Sequence, residues 1–192
     1  MQNISDVELI KRAKNRKNDP VAGAAAVGEL YDRYYEAIFR YIWARVSNLQ
    51  LAEDLTGDVF TRMVIHLPKY RYTGNPFSAW LYSIARHVVI DNYKKASSRN
   101  EVPLEDMVAV YAGGRDPAQI VEQQIFEERI VEGLRELNSF KRDVIILRFI
   151  VGLSLQEVAS ILERTISSIK VTQHRAIKEL REILETHTGE EK

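Results

Sequence analysis

The stretch LQEVASILERTISSIK, residues 155–170, sets an eight-residue helix, a short turn at Glu163 to Thr165 and the start of a longer helix in a row. Two helices that cross closely need a small residue at the approach and apolar anchors on both sides. Ala159 supplies the first, and Val158, Leu162, Ile166 and Ile169 supply the second. Ser154-Leu155-Gln156-Glu157 reads as a capping box at the start of the first helix, and Gly152 ends the helix before it. The outline is a helix-turn-helix. On the faces left over, the second helix shows Ser167, Ser168, Lys170, Val171, His174, Arg175 and Lys178. That mixture suits base edges and phosphates in a major groove. An ordinary helical hairpin with a solvated cationic face fits the same local pattern.

Outward from this motif the apolar residues keep helical spacing, and with only 9 Gly and 5 Pro in 192 residues the chain is expected to be all-α. A short first helix is signalled by the capping pattern Ser5 to Glu8. A second covers roughly 22–46, with Leu30, Tyr34, Ile38, Ile42 and Val46 on one stripe. A third runs from about Leu51 to Leu67 before Pro68, with Leu55, Val59 and Met63 inward. Asn75-Pro76 starts a fourth, carried by Phe77, Leu81, Ala85, Val88 and Tyr93 to about Ala96. Periodicity lapses over 97–115, which reads as an acidic linker between a first domain, 1–96, and a second, 116–192. In the second domain helices are expected from Asp116-Pro117 through Leu137, from Phe140 to Ile150, from Leu155 to Leu162 and from Ile166 to about Leu184. Nothing after Leu184 suggests a further regulatory domain.

Two constellations stand out in the first domain. Glu53, Asp54 and Asp58 gather in the first turns of the third helix, where acids favour the positive helix end. They suit a good helix start, an acidic pair for a metal, or a docking face for a basic partner. The stretch KYRYTGNPFSAWLYSIARHVVIDNYKKASSR, residues 69–99, interleaves aromatics with bases. Rings that stack on bases and cations that follow the backbone are the means of holding single-stranded nucleic acid, although aromatics at helical spacing also build cores. Trp80, Leu81, Ile84 and Val88 are expected inward, and Tyr72, His87, Lys94 and Lys95 outward.

Composition excludes several classes. With no Cys there is no disulfide framework and no thiolate metal site or nucleophile. The N-terminus lacks the apolar core of a signal peptide and no stretch is long enough for a membrane span, so the expected location is cytoplasmic, without insertion into a membrane. The four His show no metal-ligand spacing, and no phosphate loop or nucleophile elbow is present, so neither a catalytic residue nor a cofactor is expected. The 27 Lys and Arg against 27 Asp and Glu conceal segregation: 14 bases face 10 acids in residues 1–96, 3 face 8 in residues 97–132, and 10 face 9 in residues 133–192. Residues 164–181 alone hold five bases and one acid. Two basic modules flank an acidic connector.

In this order the motifs resemble the bacterial RNA polymerase sigma factors, in the small two-domain extracytoplasmic-function group. LYDRYYEAIFRYI, AEDLTGDVFTRMV and FSAWLYSIARHVVIDNYKK look like sigma region two. LRELNSFKRDVIILRFIVGLSLQEVASIL and SSIKVTQHRAIKELRE look like region four. The resemblance implies a subunit that binds core polymerase, confers promoter recognition and promotes melting. It puts Glu53, Asp54 and Asp58 on the clamp helices of the polymerase. It gives the minus-ten element to Tyr72, Asn75 and Phe77 in a base-capturing loop, to His87 in the choice of element, and to Lys94, Lys95 and Arg99 along the strand. The minus-thirty-five element falls to Arg164, Thr165, Ser167, Ser168, Lys170, Val171, His174, Arg175 and Lys178, with the preceding helices on the polymerase flap. An anti-sigma factor is the further partner implied. The family commonly has Gly where this chain has Glu163, which must therefore adopt a left-handed or adjusted turn, and Gly57 stands where a longer polar residue is common. A conventional DNA-binding regulator that works without polymerase and a helical protein adaptor remain the rival classes.

Overall fold

The computed structural model describes residues 4–72, 74–98 and 129–189, and all of its regular structure there is helical. The chain divides into two units, Met1–Ile42 with Gln50–Val102, and Trp43–Leu49 with Pro103–Lys192.

The first unit is built by α1 (Asp6–Lys14), α2 (Pro20–Val46, whose last turn counts with the second unit), α3 (Leu49–His66) and α4 (Phe77–Ser98). Ser5 caps α1 by accepting from the Glu8 N–H at 3.4 Å. The capping box expected there is only half made, because the Glu8 carboxylate accepts from Arg12 at 2.8 Å instead. That guanidinium holds the Glu8 carboxyl below its usual range. Leu9, Ile10 and Ala13 of α1, Leu30, Ile38 and Ile42 of α2, Leu55, Val59 and Met63 of α3, and Leu81, Ala85 and Val88 of α4 are buried, so each expected stripe does face a core. Pro68 closes α3 through a single 3₁₀ turn, Leu67–Lys69, against which α1 packs. α4 continues through Ser98, two residues into the stretch read as linker. The rest of that linker, with Glu101, Glu105 and Asp106, and the helix start at Asp116-Pro117 lie outside the described residues.

In the second unit, α5 (residues 129–136), α6 (Ser139–Ile145), α7 (Leu155–Ile161) and α8 (Ile166–Gly189) enclose Leu134, Leu137, Val144, Ile146, Leu147, Val158, Ile161, Leu162, Ile169 and Ala176. Arg142 donates to the carbonyls of Leu134 at 2.6 Å and Leu137 at 3.1 Å, and also to that of Arg135, which closes the C-terminal end of α5. Gly133 lies close against α8: a β-carbon there would lie 2.8 Å from Cδ1 of Leu180. The helix expected to run through Ile150 widens after Ile145 into one π turn, Ile146–Ile150, with the Val151 N–H donating to the Ile146 carbonyl at 2.9 Å. Arg148 within that turn donates to the Leu153 carbonyl and to Oε1 of Gln173 on α8 at 3.1 Å. Gly152 then turns the chain at φ 85°.

Candidate nucleic-acid interface

The helix-turn-helix is set by local chemistry. At the start of α7 the Glu157 N–H donates to Ser154 Oγ at 3.2 Å and the Ser154 N–H donates to Glu157 Oε2 at 2.8 Å, a complete capping box. At its end the Arg164 N–H reaches the Ala159 carbonyl at 2.9 Å and the Glu163 N–H reaches that of Ser160 at 3.3 Å. This six-to-one and five-to-two pattern requires a left-handed residue between them. Glu163 supplies it at φ 53°, without glycine. Thr165 caps α8, its hydroxyl accepting from the Ser168 N–H at 3.2 Å. Val158, Ala159, Leu162 and Ile169 are buried as expected, whereas Ile166 is 43% exposed because the first turn of α8 stands clear of the core.

On the solvent side of α8, Ser167, Lys170, Val171, His174, Arg175 and Lys178 are exposed and Ser168 is half-buried, with Arg164 and Thr165 exposed in the turn before it. The Arg164 guanidinium lies 5.6 Å from the Phe140 ring, and Lys178 is 3.6 Å from Glu182 one turn on. These side chains share one face of a helix that packs on α6 and α7 with the other.

The aromatic-basic stretch of the first unit splits by burial. Tyr72 is 70% exposed and Asn75 half-buried. Phe77, expected to touch DNA, is 3% exposed: its ring packs edge-on to Tyr34 at 5.6 Å and to Tyr70 at 5.5 Å, and against Trp80 at 5.3 Å. It is a core residue that supports the turn, not a free contact. Leu81 and Val88 are buried, and Trp80 and Ile84 half-buried. His87, Lys94 and Lys95 are exposed on α4. Nδ1 of His87 lies 2.7 Å from the Ser83 carbonyl, which only accepts, so that nitrogen carries the proton and Nε2 is left as the acceptor of the neutral ring. Arg99 lies outside the described residues.

Beside Tyr72 opens a cavity of about 440 Å³, bounded by Tyr70 and Tyr72 on one side and by Val7, Ile10, Lys11 and Lys14 of α1 on the other. Lys14 donates to the Tyr70 carbonyl, with its ammonium 5.7 Å from the Tyr70 ring. α1 is latched in place through Asp6, which accepts from Arg33 at 2.6 Å and from the Tyr34 hydroxyl, while Arg33 also donates to the Ile4 carbonyl at 2.9 Å. Burial, and then the Asp6 carboxylate, push the Tyr34 phenol well above its usual range, so it stays a donor.

Glu53, Asp54 and Asp58 are all exposed on α3. On α2, Tyr31, Tyr35 and Phe39 form a ladder with ring centroids 5.1 and 6.1 Å apart, joined to Phe60 of α3 at 4.6 Å from Tyr31. Burial, and the charges of Tyr31 and Glu53, raise the Tyr35 phenol pKa, which puts Glu53 within electrostatic reach of the ladder. Sequence reasoning missed these rings, although their spacing of four was there to be read beside the core stripe. Among the described residues no three His, Asp or Glu side chains are grouped to hold a metal ion, and no helix is long and apolar enough to cross a membrane.

Residues 30–99 match sigma-70 region 2, and residues 133–182 match sigma-70 region 4. The ECF RNA polymerase sigma factor BldN of Streptomyces coelicolor is 34% identical over 178 residues, which covers 93% of this chain and 65% of that protein. The chain belongs to the extracytoplasmic-function sigma factors. SigX of Bacillus subtilis, of the same group, is 32% identical over 81% of this chain and 82% of its own. CnrH, solved in complex with the cytosolic domain of CnrY, shares the fold at a TM-score of 0.69 and 22% identity over 94% of this chain and 97% of that one. A sigma factor serves promoter recognition and transcription initiation. In this one the acidic and aromatic faces, the 70–77 turn and α4 fall within region 2, and α6, α7 and the outward face of α8 within region 4. α1 precedes the matched stretch.

Proposed function

We propose that this sigma factor binds core RNA polymerase, carries it to a two-element promoter and opens the start site, making no covalent bond itself. The observation that carries the reading is the outward face of α8, where cations and hydroxyls of one helix are exposed together beyond a capped helix-turn-helix. Arg164, Thr165, Ser167, Ser168, Lys170, Val171, His174, Arg175 and Lys178 then meet the minus-thirty-five element in the major groove, cations on phosphates and shorter side chains on base edges.

Melting exposes unpaired bases at a cost in stacking and pairing. The cavity beside Tyr72 offers an extruded base an aromatic wall, with Phe77 holding the wall in place and Asn75 following in the same turn. His87 takes part in the choice of minus-ten sequence, and Lys94, Lys95 and Arg99 follow the displaced strand. Glu53, Asp54 and Asp58 dock on the clamp helices with the Tyr31 ladder beside them, and the helices before α7 dock on the flap. The domain limits are 1–96 and 116–192, with the acidic stretch 97–115 between, and the protein works in the cytoplasm. An anti-sigma factor that covers the docking faces is the remaining partner; RpoE of Bartonella quintana, which has the same fold at a TM-score of 0.64 and 23% identity over 82% of this chain and 96% of that one, was solved with the anti-sigma factor NepR.

Run-off transcription with core enzyme on selected promoter DNA is the test. Core-dependent initiation at defined start sites is expected, and its absence on every promoter would overturn the reading.

A further inference from the structure

Val171 is 51% exposed at the centre of the outward face of α8. At 3.6 residues per turn, Ser167 and Arg175 lie one turn to either side of it and Lys178 two turns on, all exposed, while Ile169 and Ala176 on the opposite side are fully buried. Its side chain therefore leaves the unit along the same direction as the groups assigned to DNA. A single exposed apolar residue on a protein surface needs no account of its own. This one sits where a long polar residue would favour the helix more, since a β-branched side chain loses rotamer freedom there, and it is ringed by hydroxyls and cations rather than by other apolar groups. Valine can make no hydrogen bond, so it contributes to recognition only through an apolar contact. In the major groove the apolar feature presented by a base pair is the thymine 5-methyl group.

We infer that Val171 reads a thymine methyl in the upstream promoter element, which rests on the assignment of α8 to the major groove. The hydroxyl and cationic neighbours would fix register on phosphates and polar base edges, and Val171 would set a thymine preference at one position. Removing a methyl from an apolar contact corresponds to about a fourfold loss.

The test uses holoenzyme assembled from core polymerase and the full chain. Promoters are selected from a library randomised in the upstream element, and each thymine of the winning element is then replaced by deoxyuridine, which removes only the methyl. One position is expected to lose about fourfold in initiation with the native protein. With Val171→Ala, an exposed change that leaves the fold intact, the same replacement should have no effect, and Val171→Thr, which keeps one methyl, should restore part of the sensitivity. A selected element without thymine, an element indifferent to every deoxyuridine, or unchanged sensitivity in Val171→Ala overturns the assignment. Failure of the underlying reading looks different: Lys170→Ala and Arg175→Ala holoenzymes would then use the upstream element as well as native holoenzyme does.

Discussion

Glu163 holds a left-handed backbone at the sharpest point of the helix-turn-helix, with φ at 53°. A residue with a β-carbon is disfavoured there by about 1–2 kcal/mol, while glycine would lose about 0.4–1 kcal/mol more chain entropy on folding. The first effect is the larger, so Glu163→Gly should raise the urea midpoint of unfolding by an amount worth about 1 kcal/mol or less; a lower midpoint would mean that the side chain contributes stability of its own. That Glu163 takes a left-handed or adjusted turn was legible through the resemblance, where glycine is common; the two hydrogen bonds after α7 select the left-handed form. Phe77 carried two readings that disagreed, the first member of the α4 stripe by its spacing and a DNA contact by the resemblance, and its packing on Tyr34, Tyr70 and Trp80 decides for the stripe. Tyr72 faces water as its setting among bases suggested, while the burial of Tyr70 in the turn before α4 had no period to announce it. Asp54 is a clear case of a side chain without a core role: it is exposed, and such changes normally move stability by about 0.5 kcal/mol or less. Asp54→Ala should therefore keep its unfolding midpoint and pull down less core polymerase; an unchanged pull-down would move the docking face elsewhere.

Among the helices, α8 is the one whose two faces were both legible, since burial and chemistry follow the same 3.6-residue period. Replacing Lys170 and Arg175 together by Ala should lower use of the upstream element, each lost base contact costing about 1–3 kcal/mol and each lost phosphate contact lowering the salt dependence of binding. Salt titration of promoter binding by holoenzyme measures both. The π turn after α6 was not legible. Within it Arg148 donates to Leu153 and to Gln173, and the second partner, 25 residues on, comes only with the packing of α8. α1 was legible as a helix but not as a wall of the cavity, because Lys14 and Tyr70 are 56 residues apart and share no pattern that a window along the chain could hold.

For the whole molecule, the order of the modules was plain because each carries its own motif, and the zero net charge resolved into two basic modules with acids between them. A protein of this balance lacks the general attraction for phosphate that a basic binder has, so it should hold duplex DNA tightly only on the polymerase. Changing Glu101, Glu105 and Asp106, all outside the described residues, to their amides should strengthen DNA binding by the free protein or weaken initiation; gel shift and run-off transcription read the two, and no change in either would remove that role from the connector. The latch of Arg33 and Tyr34 on Asp6 bears on how such proteins are recombined. A chimera cut at residue 30, where the region 2 match begins, would strip Leu9, Ile10 and Ala13 from the interior and leave the cavity beside Tyr72 open along one side. The unit that keeps this cavity closed includes Ile4 and α1, a boundary drawn by a carboxylate's hydrogen bonds rather than by the edge of the match.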